Sequence, residues 1–348
     1  MNPPPSLSGR MLHHLPVEAY TSQEWFDREQ AAIFSATWRY AGFAEDIAEP
    51  GQYIAVQAGL NNLFAKPKRR SPAPTTTGPT ISKAAWSRSR RNRASSARSI
   101  NPASDSSRPQ STCGAACSGS TPIRTRVRSW TGSARSNPSS ARTRSNWKIV
   151  VENYIDVYHL AHLHAGTLSM YDHAKAEFGF VGPHYAFREP LSADYAADLE
   201  RNAPTPLILP VSEAAAYVPM LFPGIGLAES EADWSTFIIT PLAPDRTRVE
   251  NRVRVKNVSA WEFQKQAWRS GPFWRDRVKG KYAAKSGDHD DPMTSGDFSA
   301  EDIYACEQQQ KSLSSPYFEV GPAAKGESPV LEHQRIVLDF LERFEAQG

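Results

Sequence analysis

Across residues 65–145 the chain has no hydrophobic period of 2 or 3.6; it runs in Arg, Ser, Pro, Thr and Ala with scattered apolar residues. Such a stretch cannot bury enough apolar surface to offset the entropy of ordering it, and it reads as disordered. A packed core must therefore come from the flanks, residues 1–64 and 146–348. The same stretch distorts the charge balance. Between residues 66 and 144 there are 17 Lys and Arg against one acid, Asp105, whereas the whole 348-residue chain carries a net charge of only +3. The remainder is net acidic, so the basic balance of the whole does not signal a nucleic-acid surface spread over the protein.

The start, MNPPPSLSGRMLHHLP, lacks the apolar core of a signal peptide, and no apolar run is long enough to span a bilayer, so a cytoplasmic location is expected. Three cysteines, Cys113, Cys117 and Cys306, make no disulfide framework. Thr21-x-x-Glu24 has capping-box spacing and opens a helix carrying Trp25, Phe26, Ile33, Phe34 and Trp38. Pro50-Gly51 then turns the chain into a strand through Tyr53, Ile54 and Val56. Past residue 164 the pattern predicts strands over 178–187 and 220–227, and a hairpin over 235–255 with Val249, Val253 and Val255 facing inward. Helices follow over 261–284, interrupted at Gly271-Pro272, then over 299–313 and 330–344, with a polar loop at 285–297. The fold class is α+β, an antiparallel sheet with helices preceded by an N-terminal β region.

Chemistry concentrates in residues 146–164, NWKIVVENYIDVYHLAHLH. Asp156 and His159, three apart, share a face of a helix. His159 and His164, five apart, stand roughly 140° out of line at about 100° per residue. Both reach one metal only if the helix ends or unwinds between them, and Gly166 is a stop signal just beyond. Two neutral imidazoles suit a divalent first-row metal; as an isolated pair they serve equally as surface or capping groups. His162 competes as a ligand or lines a pocket. Asp156 either fixes the tautomer of His159 or is a surface acid. Asn153 lines the site or is a buried, hydrogen-bonded amide, and Glu152 is expected to face away. The zinc-protease pattern H-E-x-x-H is absent, D-x-x-H occurs once where a di-iron site wants two E-x-x-H, and no nucleophile elbow or Gly-rich phosphate loop is present.

Asn146-Trp147-Lys148, Glu152-Asn153 and Asp156-x2-His159-x4-His164 occur together and in order. This segment resembles the iron-binding stretch of the α subunits of Rieske non-haem iron ring-hydroxylating oxygenases. The resemblance covers roughly three quarters of the chain. It implies a helix-grip catalytic domain over 146–348, with mononuclear Fe(II) on His159 and His164. Asp156 would hydrogen-bond His159 and bridge to the [2Fe–2S] cluster of a neighbouring subunit. The third ligand of a 2-His-1-carboxylate site is a later carboxylate. Glu301-Asp302-x5-Gln308 is similar to the family's pattern for it and nominates Asp302; Asp297, Asp288, Asp290 and Asp291 are rivals. Ser299 to Asp302 is also capping-box spacing, and acids favour a helix's first turn for the dipole alone. The family's reaction uses O2 and two electrons, by mono- or dioxygenation, on a small aromatic or hydrophobic substrate. Its electrons come from NAD(P)H through a reductase or ferredoxin, commonly in a homotrimer.

The family's cluster is held by Cys-x-His and Cys-x2-His, a Cys2His2 set. Neither pattern occurs here, and no histidine lies between His14 and His159. Three accounts of residues 65–145 follow: an Arg/Ser arm for nucleic acid, a linker, or a shift of reading frame that ends near Asn146. The arm has only Trp86 and Trp130 as aromatics, and a linker of this length and basicity is atypical. Out-of-frame reading of a GC-rich gene yields Arg, Ser, Pro and Ala, and this is the account adopted. It implies iron binding without NAD(P)H-driven turnover. The alternatives are a ligand-binding pseudoenzyme on a helix-grip fold and a nucleic-acid binder acting through the arm. Resequencing codons 60–146 checks the frame: the expected result is another frame encoding Cys-x-His and Cys-x2-His, and an intact frame without them contradicts it.

Overall fold

A computed structural model describes residues 11–49, 51–59, 61–65, 136–203, 205–269 and 290–347. The chain opens with α1 (Glu18–Thr21) and α2 (Gln23–Glu29), which runs into a π-turn over Gln30–Phe34. The cap between them is Ser22, not Thr21: its hydroxyl accepts the N–H groups of Glu24 and Trp25, and its extended backbone breaks the helix there. Trp38 falls beyond the helical turns and is 83% exposed, so it is not part of the apolar stripe. Strands β1 (Ile54–Ala58) and β2 (Asn61–Ala65) form an antiparallel hairpin.

Residues 66–135 lie outside the described residues, and with them Cys113, Cys117 and the expectation of disorder there. Order resumes before Asn146, however: β3 (Ser136–Thr143) pairs antiparallel with a later strand. Its sequence, SNPSSART, carries no apolar alternation. The strand is held by a backbone ladder on one side only, and an edge position tolerates Pro138.

Next come α3 (Trp147–Ile155), α4 (Leu160–Leu163), β4 (Glu177–Val181), β5 (His184–Pro190) and α5 (Ala193–Asn202). They lead to β6 (Ala215–Tyr217), β7 (Met220–Leu221), β8 (Ile225–Glu229), β9 (Asp233–Ala243) and β10 (Arg246–Val255). The chain finishes with α6 (Ala260–Arg269), α7 (Phe298–Leu313) and α8 (Ser328–Glu345). The eight strands from β3 onward form one antiparallel sheet in the order β3-β10-β9-β8-β6-β5-β4, with β7 bridging β5 and β8. The α+β architecture expected from the sequence is the one found. The stretch 178–187 is two strands turning at Gly182 (φ 57°), and Val255 is 42% exposed at a strand end instead of facing inward. Residues 270–289 lie outside the described residues. No helix among the described residues is long and apolar enough to cross a membrane.

The sheet packs on α3, which is buried almost all round: Trp147, Lys148, Ile149, Val151, Glu152 and Ile155. Asn146 caps it, accepting Lys148 N–H at 2.9 Å while its amide donates to the carbonyls of Tyr20 and Pro244. A lysine on a buried helix needs a counter-charge. Glu29 supplies it, accepting from Lys148 Nζ at 2.6 Å and from Trp147 Nε1 at 2.7 Å, with both charged side chains fully buried. Burial lowers the Lys148 pKa and Glu29 opposes that shift. Glu152 faces away from the histidines, but into the core: it accepts from Tyr20 Oη at 2.7 Å and from Gln334 Nε2 at 3.3 Å. Substituting Glu29→Ala leaves the Lys148 charge unpaired and is expected to cost about 3–5 kcal/mol in urea denaturation. The double variant Glu29→Ala/Lys148→Met is expected to recover much of that loss.

Candidate metal centre

Helix α3 stops at Ile155 because Asp156 leaves helical space (φ −71°, ψ 124°). Its carboxylate then starts the next turn, accepting the N–H groups of Tyr158 at 2.9 Å and His159 at 3.1 Å. His159 and His164 bracket the one-turn α4 and face each other with ring centroids 5.1 Å apart. This turn ends at Leu163 and His164 leaves helical space (φ −101°, ψ 21°), the helix end that two histidines five apart require between them. Helix α7 brings the acids. Asp297 caps it by accepting Ser299 N–H at 2.9 Å, so Ser299 lies inside the helix and is not its cap.

Asp302 Oδ1 lies 2.9 Å from His164 Nε2 and 3.7 Å from His159 Nε2. One donor atom from each of the three residues lies within 4.8 Å of the others. Each imidazole turns its other nitrogen to a carboxylate. His164 Nδ1 is 2.7 Å from Glu301 Oε2, which also accepts from Thr167 Oγ1 at 2.7 Å. His159 Nδ1 is 3.3 Å from Asp156 Oδ2, close enough for an ion pair but not aligned as a hydrogen bond. An Nδ1–H held by a carboxylate leaves Nε2 as the lone-pair donor, the tautomer a metal requires. Two imidazoles and one carboxylate with room for further ligands suit Fe(II).

The other candidates separate from this cluster. His162 is exposed and packs its ring on Tyr158. Asp297 is spent on the helix cap, and Asp291 accepts Met293 N–H at 3.0 Å in a turn. Asp290 is exposed, and Asp288 lies outside the described residues. Asn153 lines a cavity of about 430 Å3 that also reaches His159, His164 and Asp302. This cavity lies between the sheet and helices α3, α4 and α7, with Tyr154, Tyr185, Phe187 and Phe237 among its walls. Tyr154 is positioned by a hydrogen bond to the Leu227 carbonyl at 2.6 Å and by Gly226, where a Cβ would come within 2.8 Å of its ring. Sequence reasoning missed the role of Glu301. The signal was its place directly before Asp302, on a different face of the same helix turn.

A non-haem iron oxygenase is the class that this fold and donor set fit. The chain belongs to the ring-hydroxylating α subunits: residues 128–343, well over half its length, match the family described as Ring hydroxylating alpha subunit (catalytic domain). Its family is one of Rieske-type, iron-dependent oxygenases, with a mononuclear iron and a Rieske cluster. Among solved structures it is similar to the quaternary ammonium Rieske monooxygenase CntA in complex with the inhibitor MMV12 (TM-score 0.54, 13% identity, covering 95% of this chain and 96% of that one). It is also similar to naphthalene 1,2-dioxygenase from Rhodococcus sp. bound to indole (TM-score 0.50, 12% identity, 94% and 93%). At such identities the likeness is one of fold. No curated protein sequence matches the chain.

In the metal-free protein burial lowers the His164 pKa, but the hydrogen bonds and charges of Asp302 and Glu301 outweigh it and the net shift is upward. A folded-state value above the unfolded one, about 6.5, means that protonated His164 stabilises the metal-free fold below that pH. The contribution is lost as pH rises through the folded-state value. Urea denaturation of metal-free protein between pH 6 and pH 8.5 is expected to show this decline, and Glu301→Gln to flatten it.

Proposed function

We propose that the chain is the α subunit of an O2-dependent hydroxylase, with Fe(II) held by His159, His164 and Asp302 beside a cavity for a small aromatic or hydrophobic substrate. The observation that carries this is the convergence of His159 Nε2, His164 Nε2 and Asp302 Oδ1 on one point at the cavity wall. Iron bound there would supply activation of O2. The protein's part is positional. Glu301 orients the His164 imidazole through Nδ1, and Asp156 faces Nδ1 of His159 at 3.3 Å without an aligned hydrogen bond, which leaves both Nε2 atoms toward Asp302. Asn153 and the aromatic walls border the space where substrate would sit.

Mono- and dioxygenation fit this site equally. The division into an N-terminal lead (1–64), a basic insert (65–145) and a catalytic domain (146–348) belongs to the same reading, with the catalytic sheet starting at β3. So do a cytoplasmic setting, a homotrimer, and a reductase or ferredoxin drawing on NAD(P)H, all taken from the family. On this reading Asp156 would be the bridge between subunits that the resemblance implies.

The Rieske cluster does not fit the residues present: Cys-x-His and Cys-x2-His do not occur in the chain. No electron transfer through a cluster is assigned to it. That mismatch favours a second reading, a ligand-binding pseudoenzyme that keeps the cavity without redox turnover. Anaerobic loading with Fe(II) tests the proposal. About one iron per chain is expected, lost in Asp302→Ala and in His159→Ala. Hydrogen peroxide, which needs no cluster, is expected to drive product formation where NAD(P)H with a reductase does not. Unchanged iron content in Asp302→Ala contradicts the metal assignment, a Rieske visible spectrum contradicts the loss of the cluster, and iron without peroxide-driven turnover leaves the pseudoenzyme.

A further inference from the structure

A buried phenol normally hydrogen-bonds its hydroxyl, because leaving that group dry and unpaired costs free energy. Two tyrosines of the cavity wall differ on this point. Tyr154 donates to the Leu227 carbonyl at 2.6 Å. Tyr185, 3% exposed, has no hydrogen-bond partner for its hydroxyl within the fold. Its ring is held in place: it stands on β5 directly opposite Phe180 of β4, whose ring packs 5.3 Å from its own. Strand alternation sets Tyr185, Phe187 and Glu189 on one face of β5, and all three line the cavity.

The Tyr185 phenol lies within electrostatic reach of Asp156, beside His159, and of Glu189. Burial foremost, and then these two carboxylates, push its pKa up. It therefore keeps its proton near neutral pH, and what the O–H lacks is an acceptor. The other wall groups limit the charge such an acceptor can carry. Asp156, Glu189, Glu229, Asp233 and Asp302 line the cavity, and among the described residues no lysine or arginine does. A carboxylate substrate would be desolvated among like charges. Glu189 and Asp233 have partners of their own, so neither calls for a cationic occupant. Glu189 accepts from His173 Nδ1 at 2.5 Å, and Asp233 from the hydroxyls of Ser230 and Ser235 at 3.1 and 3.2 Å.

We propose that Tyr185 determines specificity: its hydroxyl donates a hydrogen bond to an uncharged oxygen of the substrate, a carbonyl, ether or hydroxyl oxygen on an otherwise apolar molecule. A substrate oxygen satisfies the buried donor, whereas an isostere without it leaves the donor unpaired. The bond fixes which end of the molecule faces Tyr185 and so which end is turned to His159, His164 and Asp302, a clause that rests on the oxygenase reading above.

Calorimetric titration of the full chain, metal-free, with three probes of similar size tests this: acetophenone, its isostere α-methylstyrene, in which a methylene replaces the oxygen, and benzoate. Acetophenone is expected to bind about fivefold more tightly than α-methylstyrene, and Tyr185→Phe to bring the ratio to about one. Absence of acetophenone binding, equal or tighter binding of α-methylstyrene or benzoate, or an unchanged ratio in Tyr185→Phe overturns the proposal. Urea denaturation without any probe gives a second readout. Tyr154→Phe is expected to lower the midpoint because it loses the bond to Leu227, and Tyr185→Phe to leave it unchanged or raise it. A loss in Tyr185→Phe as large as in Tyr154→Phe means that the hydroxyl is already satisfied inside the protein, and also overturns the proposal. Iron uptake by the same preparations separates the two readings. Iron without a preference for acetophenone removes this inference alone, and the preference without iron removes the oxygenase reading alone.

Discussion

The geometry of the metal centre depends on one interrupted helix. An unbroken helix through residues 147–164 would point His159 and His164 roughly 140° apart. Two breaks prevent that: Asp156 takes extended backbone and caps the turn that follows with both carboxylate oxygens, and that turn ends at Leu163, so that His164 lies outside helical space (φ −101°, ψ 21°). The same carboxylate lies 3.3 Å from His159 Nδ1. A single side chain thus ends one helix, starts the next and faces the imidazole it has repositioned. Helix α7 completes the arrangement from the other side, with Glu301 behind His164 and Asp302 before it.

That interruption is useful only if α3 itself cannot shift. Glu29 holds it from the N-terminal segment through Trp147 and Lys148, Asn146 ties its start to Tyr20 and Pro244, and Gln310 of α7 accepts from Asn146 N–H at 2.7 Å. The Asn-Trp-Lys motif is thus an anchor and does not touch the metal cluster. Its partners come from the N-terminal segment, a loop of the sheet and α7, so the elements that carry the two histidines and the two acids share one buried network. Such a network is costly when broken and specific when complete.

Much of this was legible in the sequence where periodicity and spacing carry the information. The histidine spacing demanded that the helix end between His159 and His164, and the one-turn helix there ends at Leu163; the helices at 299–313 and 330–344 and the long hairpin follow their apolar patterns. Features that depend on partners distant in the chain were not legible. Strand β3 has no alternation to read because its ladder with β10 holds it. Glu29 and Glu301 look like ordinary helix acids until Lys148 and His164 are brought against them. The inward direction of Glu189 and Asp233 is set by strand register, which one sequence does not fix. Thr21 and Ser299 have capping-box spacing, yet Ser22 and Asp297 make the caps, since element ends are decided by neighbouring backbone conformation.

The chain thus joins a family catalytic domain, with a coherent donor set, to a preceding region that lacks the family's cluster ligands. The most direct test of the central claim is anomalous diffraction at the iron edge from crystals of the full chain loaded anaerobically with Fe(II). The account predicts one strong peak among His159 Nε2, His164 Nε2 and Asp302 Oδ1, with Glu301 and Asp156 still facing the two Nδ1 atoms. A peak elsewhere, or none in crystals whose solution contains ferrous iron in excess, would contradict it.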